Sequence, residues 1–136
     1  MLDDLGLDAT LEWHSNEFSI LTGIPCEFES AYDEGILSRE VKLDFFRIYQ
    51  EALSNVMYHS LANRVQVRIE DTHHEICLTI TDDGKGFTME HAAQSSGFTT
   101  IQQRVASISG NLSIQSDVGK GTKIQVTIPR HGPMIH

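Results

Sequence analysis

Between residues 65 and 81 the apolar side chains fall on every second position. Val65, Val67 and Ile69 alternate with Gln66, Arg68 and Glu70, and Ile76, Leu78 and Ile80 alternate with Cys77, Thr79 and Thr81. Successive side chains of a strand point to opposite faces, so this pattern specifies two strands with one dry and one wet face. Asp71, Thr72, His73 and His74 lie between them and read as a hairpin turn. A sheet that is dry on one side needs a cover. The stretch just before it supplies one: Phe45, Ile48, Tyr49, Ala52, Leu53 and Val56 follow the spacing that gives a helix a single buried face.

The remaining elements follow from the same two periods. Residues 2–22 carry Leu5, Leu7, Leu11, Trp13, Phe18 and Leu21 with helical spacing, stopped by Gly23, Ile24 and Pro25. That pattern is already under way at Met1, as expected of a piece of a longer protein. Residues 26–32 alternate enough for a short edge strand, and Asp33, Glu34 and Gly35 make a turn. Ser38 is the expected N-cap of the central helix, with Glu40 in its first turn and an end near residues 60–63. Residues 89–96 lack a period and read as a loop. From Gly97, the positions of Ile101, Val105 and Ile108 predict a helix that stops at Ser109 and Gly110. Leu112 and Ile114 mark a strand, Gly119, Lys120 and Gly121 a turn, and Ile124, Val126 and Ile128 the last strand. The expected fold is α+β: a two-layer α/β sandwich whose mixed, mostly antiparallel sheet is covered by helices on one face.

Composition narrows the function. At 136 residues the chain suits one domain with a real core. A formal net charge of −9 opposes a general electrostatic footprint on nucleic acid or anionic membrane, so neither is an expected partner. An anionic ligand would have to be held locally, by a cation and backbone donors. No run approaches the roughly 18 to 20 apolar residues of a membrane span, and no charged-then-apolar leader precedes the first helix. Cys26 and Cys77 have no metal-ligand spacing and read as buried or strand residues of a reduced, cytoplasmic setting.

Two stretches carry candidate chemistry. On the far side of the central helix Arg47, Glu51, Asn55 and His59 recur every fourth residue, forming one drifting stripe. Magnesium takes oxygen ligands and keeps several waters, so the Asn55 amide plus phosphates would nearly complete its shell. The same stripe also fits a solvated helix face with ordinary ion pairs. At the end of the second strand, Asp82, Asp83, Gly84, Lys85, Gly86 and Phe87 place two glycines where the backbone could approach a flat ligand. A carboxylate before them could accept from an amino group such as that of adenine. A plain polar turn is the other reading. His14 reads as a partly buried helix residue, and the pair His73 and His74 lacks further metal ligands at a recognised spacing.

Taken together, three separated pieces resemble one family. FFRIYQEALSNVMYHS is similar to the N box of sensor histidine kinases, DDGKGF to their first glycine box, and GNLSIQSDVGKGTKIQVTIP to their closing strands with the G-x-G-T turn. The opening LDDLGLDATLEW resembles the end of the dimerisation domain in the subfamily with short ATP lids. The resemblance implies the fold shared with Hsp90-type ATPases, type II topoisomerases and MutL-type proteins. It divides the chain into 1–22, the end of a dimerisation helix and its junction, 23–130, a catalytic ATP-binding domain, and 131–136, a tail.

What the resemblance implies is transfer of the ATP γ-phosphoryl group to a histidine on a dimerisation domain outside this chain, for relay to a response regulator. The implied cofactors are ATP and Mg2+. The whole protein would be a homodimer, with this piece cytoplasmic and free of membrane contact. By position, Asn55 is the implied magnesium ligand, and Glu51 positions water or assists proton removal from the attacking histidine. His59 lies where the family has a basic group near the phosphates, and Asp82 where it accepts the adenine amino hydrogen. Gly84 and Gly86 would admit the base, Gly97 would open the helix beneath the lid, and Gly119, Gly121 and Thr122 would close the pocket. Two departures stand out: Tyr58 replaces a common lysine, and Ser95-Ser96-Gly97-Phe98 stands where the family has G-x-G-L. A decayed, non-catalytic interaction domain and an ATP-driven conformational module are the alternative readings.

Overall fold

The computed structural model describes residues 2–57, 61–72, 74–86 and 96–129. The two alternating tracts form β2 (Val65–Asp71) and β3 (Glu75–Asp82), paired antiparallel with Val67 opposite Ile80. β4 (Asn111–Ser116) and β5 (Thr122–Pro129) form a second antiparallel pair, and β5 joins β3 so that Asp82 faces Thr122. The short strand β1 (Cys26–Ala31) lies at the edge and runs parallel to β2, giving the order β1-β2-β3-β5-β4. A parallel pair cannot be closed by a tight turn; the chain returns through helix α2 (Arg39–Asn55). The expected α+β sandwich with a mixed, mostly antiparallel sheet is the observed one.

Alternation sets which face is dry. Val65, Val67, Ile69, Ile76, Leu78, Ile80, Ile124, Val126 and Ile128 are all buried, while Gln66, Arg68 and Glu70 are exposed on the opposite face. α2 supplies Phe45, Ile48, Tyr49, Ala52 and Leu53 to this core. Helix α3 (Ser96–Ser107) adds Phe98, Ile101 and Val105, and helix α1 (Leu2–Thr22) adds Leu7, Leu11 and Phe18. Tyr49 ties α1 to α2: its hydroxyl lies 2.7 Å from Ser15 Oγ and donates to the Leu11 carbonyl at 3.3 Å. Burial pushes that phenol well above its ordinary range, so it remains a neutral hydroxyl within this hydrogen-bond pair.

Three local details differ from the sequence expectation. α1 is interrupted at Gly6, whose φ of 85° and ψ of 175° are not helical, so the first turn is set off from the rest. α2 keeps α-helical geometry only to Asn55, short of the expected end near residues 60–63, and turns more widely at Val56 and Met57. Ser38 does cap its start, accepting from the Val41 N–H at 3.2 Å. The segment after β1 makes a 3-10 turn (Glu34–Ile36) rather than a simple reversal.

At one end of the sheet, the turn after β3 docks against the turn before β5. A Cβ on Gly86, at φ +67°, would lie 2.0 Å from the Asp117 carbonyl oxygen, and one on Gly121, at φ +81°, would lie 2.2 Å from the Asp82 carbonyl oxygen. The Gly119 N–H donates to the Lys85 carbonyl across the same seam. Main chain meets main chain here, and no side chain fits between. Gly119 itself has φ +83° but open space around its Cα. Gly119→Ala should therefore cost only the left-handed penalty of about 1–2 kcal/mol. Gly121→Ala must also push two strands apart and should cost at least about 3 kcal/mol or prevent folding. Urea denaturation of the two variants checks the order.

Candidate functional site

Asp82 is the last residue of β3 and points to the helix-covered side, as Ile80 does two residues earlier. Its Oδ1 accepts from the Gly84 N–H at 2.8 Å, and its other oxygen has no partner among the described residues. Burial raises its pKa; the Gly84 N–H lowers it and the neighbouring Asp83 raises it further. Asp82, Gly121 and Thr122 line a single cavity of about 200 Å³ with Thr81, Gln115, Ser116, Asp117, Lys120 and Lys123. Thr122 is buried, and its hydroxyl lies 3.0 Å from that of Ser116, which donates to the Gly121 carbonyl at 2.9 Å. Gly84 is buried beneath this turn, Gly86 is locked against Asp117 and Gly121, and Gly119 lies on the exposed outer rim.

A second group of candidate residues lies between α2 and α3. Gly97, in the first turn of α3, faces the end of α2 so closely that a Cβ there would sit 3.0 Å from both Asn55 Oδ1 and Glu51 Oε2. Asn55 Nδ2 is buried and has no hydrogen-bond partner among the described residues. Such a group costs about 1–3 kcal/mol unless a ligand or water satisfies it. The Glu51 carboxylate is half-buried and has no hydrogen bond or ion pair among the described residues. It borders a cavity of about 290 Å³ with Arg47, Gln50, Thr100 and Arg104. The stripe Arg47, Glu51 and Asn55 is thus no set of ordinary i,i+4 ion pairs; Arg47 turns to Gln50 at 3.1 Å instead.

Several expected positions fall beyond the description. His59, Tyr58, Phe87 and Ser95 lie outside the described residues, as do His73, most of the 89–96 loop and the 131–136 tail. His14 is partly buried, as expected, and burial lowers its pKa while Glu17 opposes this. Cys26 is buried and Cys77 half-buried on its strand, both free. No described helix is long and apolar enough to cross a membrane.

The sequence reading missed the residues that hold the site in place. Asp83 Oδ1 accepts from the Asn63 and Arg64 N–H groups at 2.8 and 2.9 Å, pinning the start of β2 to the end of β3. Asp44 is 5% exposed and binds Arg104 at 3.2 Å and Ser107 at 3.1 Å across the α2–α3 seam. A signal for Asp44 was available: it shares the apolar stripe of Ile48 and Ala52, where a lone carboxylate needs a partner.

Comparisons with known proteins bear on the family and the fold. Residues 40–132 match the family model described as histidine kinase-, DNA gyrase B- and HSP90-like ATPase. The chain is 35% identical over 129 residues to the signal transduction histidine-protein kinase/phosphatase DegS of Brevibacillus brevis, covering 94% of this chain and 33% of that protein. It is 38% identical over 106 residues to the sensor histidine kinase LiaS of Bacillus subtilis, covering 77% of this chain and 29% of that protein. The chain therefore spans about a third of the length of these curated relatives. Its fold resembles the histidine kinase domain of the blue-light activated kinase of Erythrobacter litoralis, with a TM-score of 0.72 at 19% identity over 91% of this chain and 61% of that one. It also resembles the histidine kinase AdeS of Acinetobacter baumannii, with a TM-score of 0.71 at 12% identity over 93% and 64% of the two chains.

The half-buried carboxyl of Asp82 carries a stability consequence. A carboxyl whose folded pKa is raised binds its proton more tightly when folded, so it opposes folding once ionised. Asp82→Asn should melt at or above the wild type at neutral pH. That advantage should shrink as pH falls through the raised value of Asp82 and vanish below the ordinary aspartate range. Thermal melts of both proteins over pH 3–8 read this out.

Proposed function

This chain belongs to the histidine kinase-, DNA gyrase B- and HSP90-like ATPase family, and from that premise we propose that it is the catalytic ATP-binding domain of a sensor histidine kinase. The observation that carries the reading is the orphaned Asn55 amide, buried beside Gly97 and the uncommitted Glu51 carboxylate. These groups fit a magnesium–phosphate ligand. A half-turn of the Asn55 amide offers its oxygen to a hard cation, while its nitrogen offers a donor to phosphate. The N–H groups at the start of α3 favour a negative charge in the same place.

In this reading Asp82 accepts the adenine amino hydrogen with the oxygen that Gly84 leaves free. The locked turns at Gly86 and Gly121 give the base a rigid wall, and Thr122 reaches it through water. Asn55 would hold Mg2+, which when bound neutralises charge on the phosphates. The attacking group is a histidine of a dimerisation domain elsewhere in the same protein. Its ring nitrogen bonds to the γ-phosphorus as the bond to the bridging oxygen breaks, ADP leaves, and Glu51 takes the ring proton. His59 is a further candidate beside the phosphates. The phosphoryl group then passes to a response regulator.

The same reading assigns residues 1–22 to the end of the dimerisation helix and its junction, 23–130 to the catalytic domain and 131–136 to a tail. It makes the whole protein a bacterial homodimer, with this domain in the cytoplasm.

Calorimetry with a non-hydrolysable ATP analogue, with and without magnesium, tests the pocket. Losing one hydrogen bond to a charged group should weaken binding of Asp82→Asn by about ten- to a hundredfold. Asn55→Ala should abolish the gain that magnesium gives. Equal binding by wild type and Asp82→Asn would refute this placement of the base.

A further inference from the structure

We propose that Arg104 is a positioning residue of the phosphate half of the site, acting through Asp44; the inference rests on the nucleotide reading above. α2 and α3 run antiparallel, because Gly97 meets Glu51 and Asn55 while Arg104 and Ser107 meet Asp44. The two contacts form two rungs. Asp44 and Glu51 are seven residues apart on α2, and Gly97 and Arg104 are seven apart on α3. At 1.5 Å per residue both intervals rise by about 10.5 Å, so the rungs close only when the helices are in this one register.

Arg47, Gln50, Glu51, Thr100 and Arg104, none of them fully buried, line a cavity of about 290 Å³ along this seam. Ile101 and Val105 hold α3 down on the core, but apolar burial is non-directional and permits sliding. Direction comes from the lower rung. Asp44 is 5% exposed, and its partners among the described residues, Arg104 and Ser107, are both on α3, so losing this alignment would leave its charge buried and unpaired. A slip of one residue along α3 would shift the Gly97 amide by about 1.5 Å, enough to misplace a phosphate contact. Arg104 lies outside the cavity beside Asp82 and borders the same cavity as Glu51, so its effect should be confined to the half of the ligand that α3 meets.

The experiment compares two ligands on the same folded chain. Binding of AMP and of a non-hydrolysable ATP analogue with magnesium is measured by calorimetry for wild type, Arg104→Met, Arg104→Lys and Asp44→Asn. The expected result is a loss of about tenfold for the triphosphate in Arg104→Met, with AMP binding within about twofold of wild type. Arg104→Lys, which restores the charge, should recover most of the loss. If Arg104→Met does not fold, the same split must appear in Asp44→Asn, which keeps the packing and removes the charge. Equal weakening of both ligands would make the pair a general stabiliser, and unchanged binding of both would make it irrelevant; either overturns the proposal. A wild type that binds neither ligand would overturn the nucleotide reading itself, and this inference with it.

Discussion

Everything at the ligand end of this fold depends on two stretches of main chain touching without side chains between them. The Asp117 carbonyl occupies the place of a Gly86 Cβ, and the Asp82 carbonyl the place of a Gly121 Cβ. This contact lets β3 and β5 stay paired to their last residues, so that Asp82 lies directly opposite Thr122. With any larger residue at Gly86 or Gly121 the two turns would separate, and the half-buried Asp82 carboxylate would lose the wall beside it. Asp83 completes the arrangement by tying the incoming strand β2 to the same corner.

The helical side solves a different problem. α2 delivers Glu51 and Asn55 from a helix whose opposite face is firmly buried, so their positions are rigid. α3 approaches them with a glycine, which brings its backbone within contact of both side chains. Among the described residues, this leaves the Asn55 amide nitrogen buried without a partner and the Glu51 carboxylate uncommitted. Proteins tolerate such costs where a ligand recovers them. At the far end of the same seam the buried Asp44 carboxylate pairs with the partly exposed Arg104.

Much of this was legible in the sequence because period decides face. The alternation in residues 65–81 gave both strands and their dry side, and the 3.6-residue period in α2 separated Ile48 and Leu53 from Glu51 and Asn55. Asp82 and the paired glycines were readable because a carboxylate followed by glycines at a strand end is a local signal. The contacts that hold those residues in place were not local. Asp44 and Arg104 are 60 positions apart, and nothing in either neighbourhood names the other. The parallel placement of β1 beside β2 is likewise a long-range contact that neither strand's own pattern names.

The most direct test of the central claim follows the backbone amides of the ¹⁵N-labelled chain during titration with a non-hydrolysable ATP analogue and magnesium. The account predicts that Gly84, Gly86, Gly97 and Gly121 shift together, because they come from two separate halves of one pocket. Gln66, Arg68 and Glu70, on the open face of the sheet, should not move. Shifts on that open face, or four glycines that stay unchanged while the ligand binds, would contradict it.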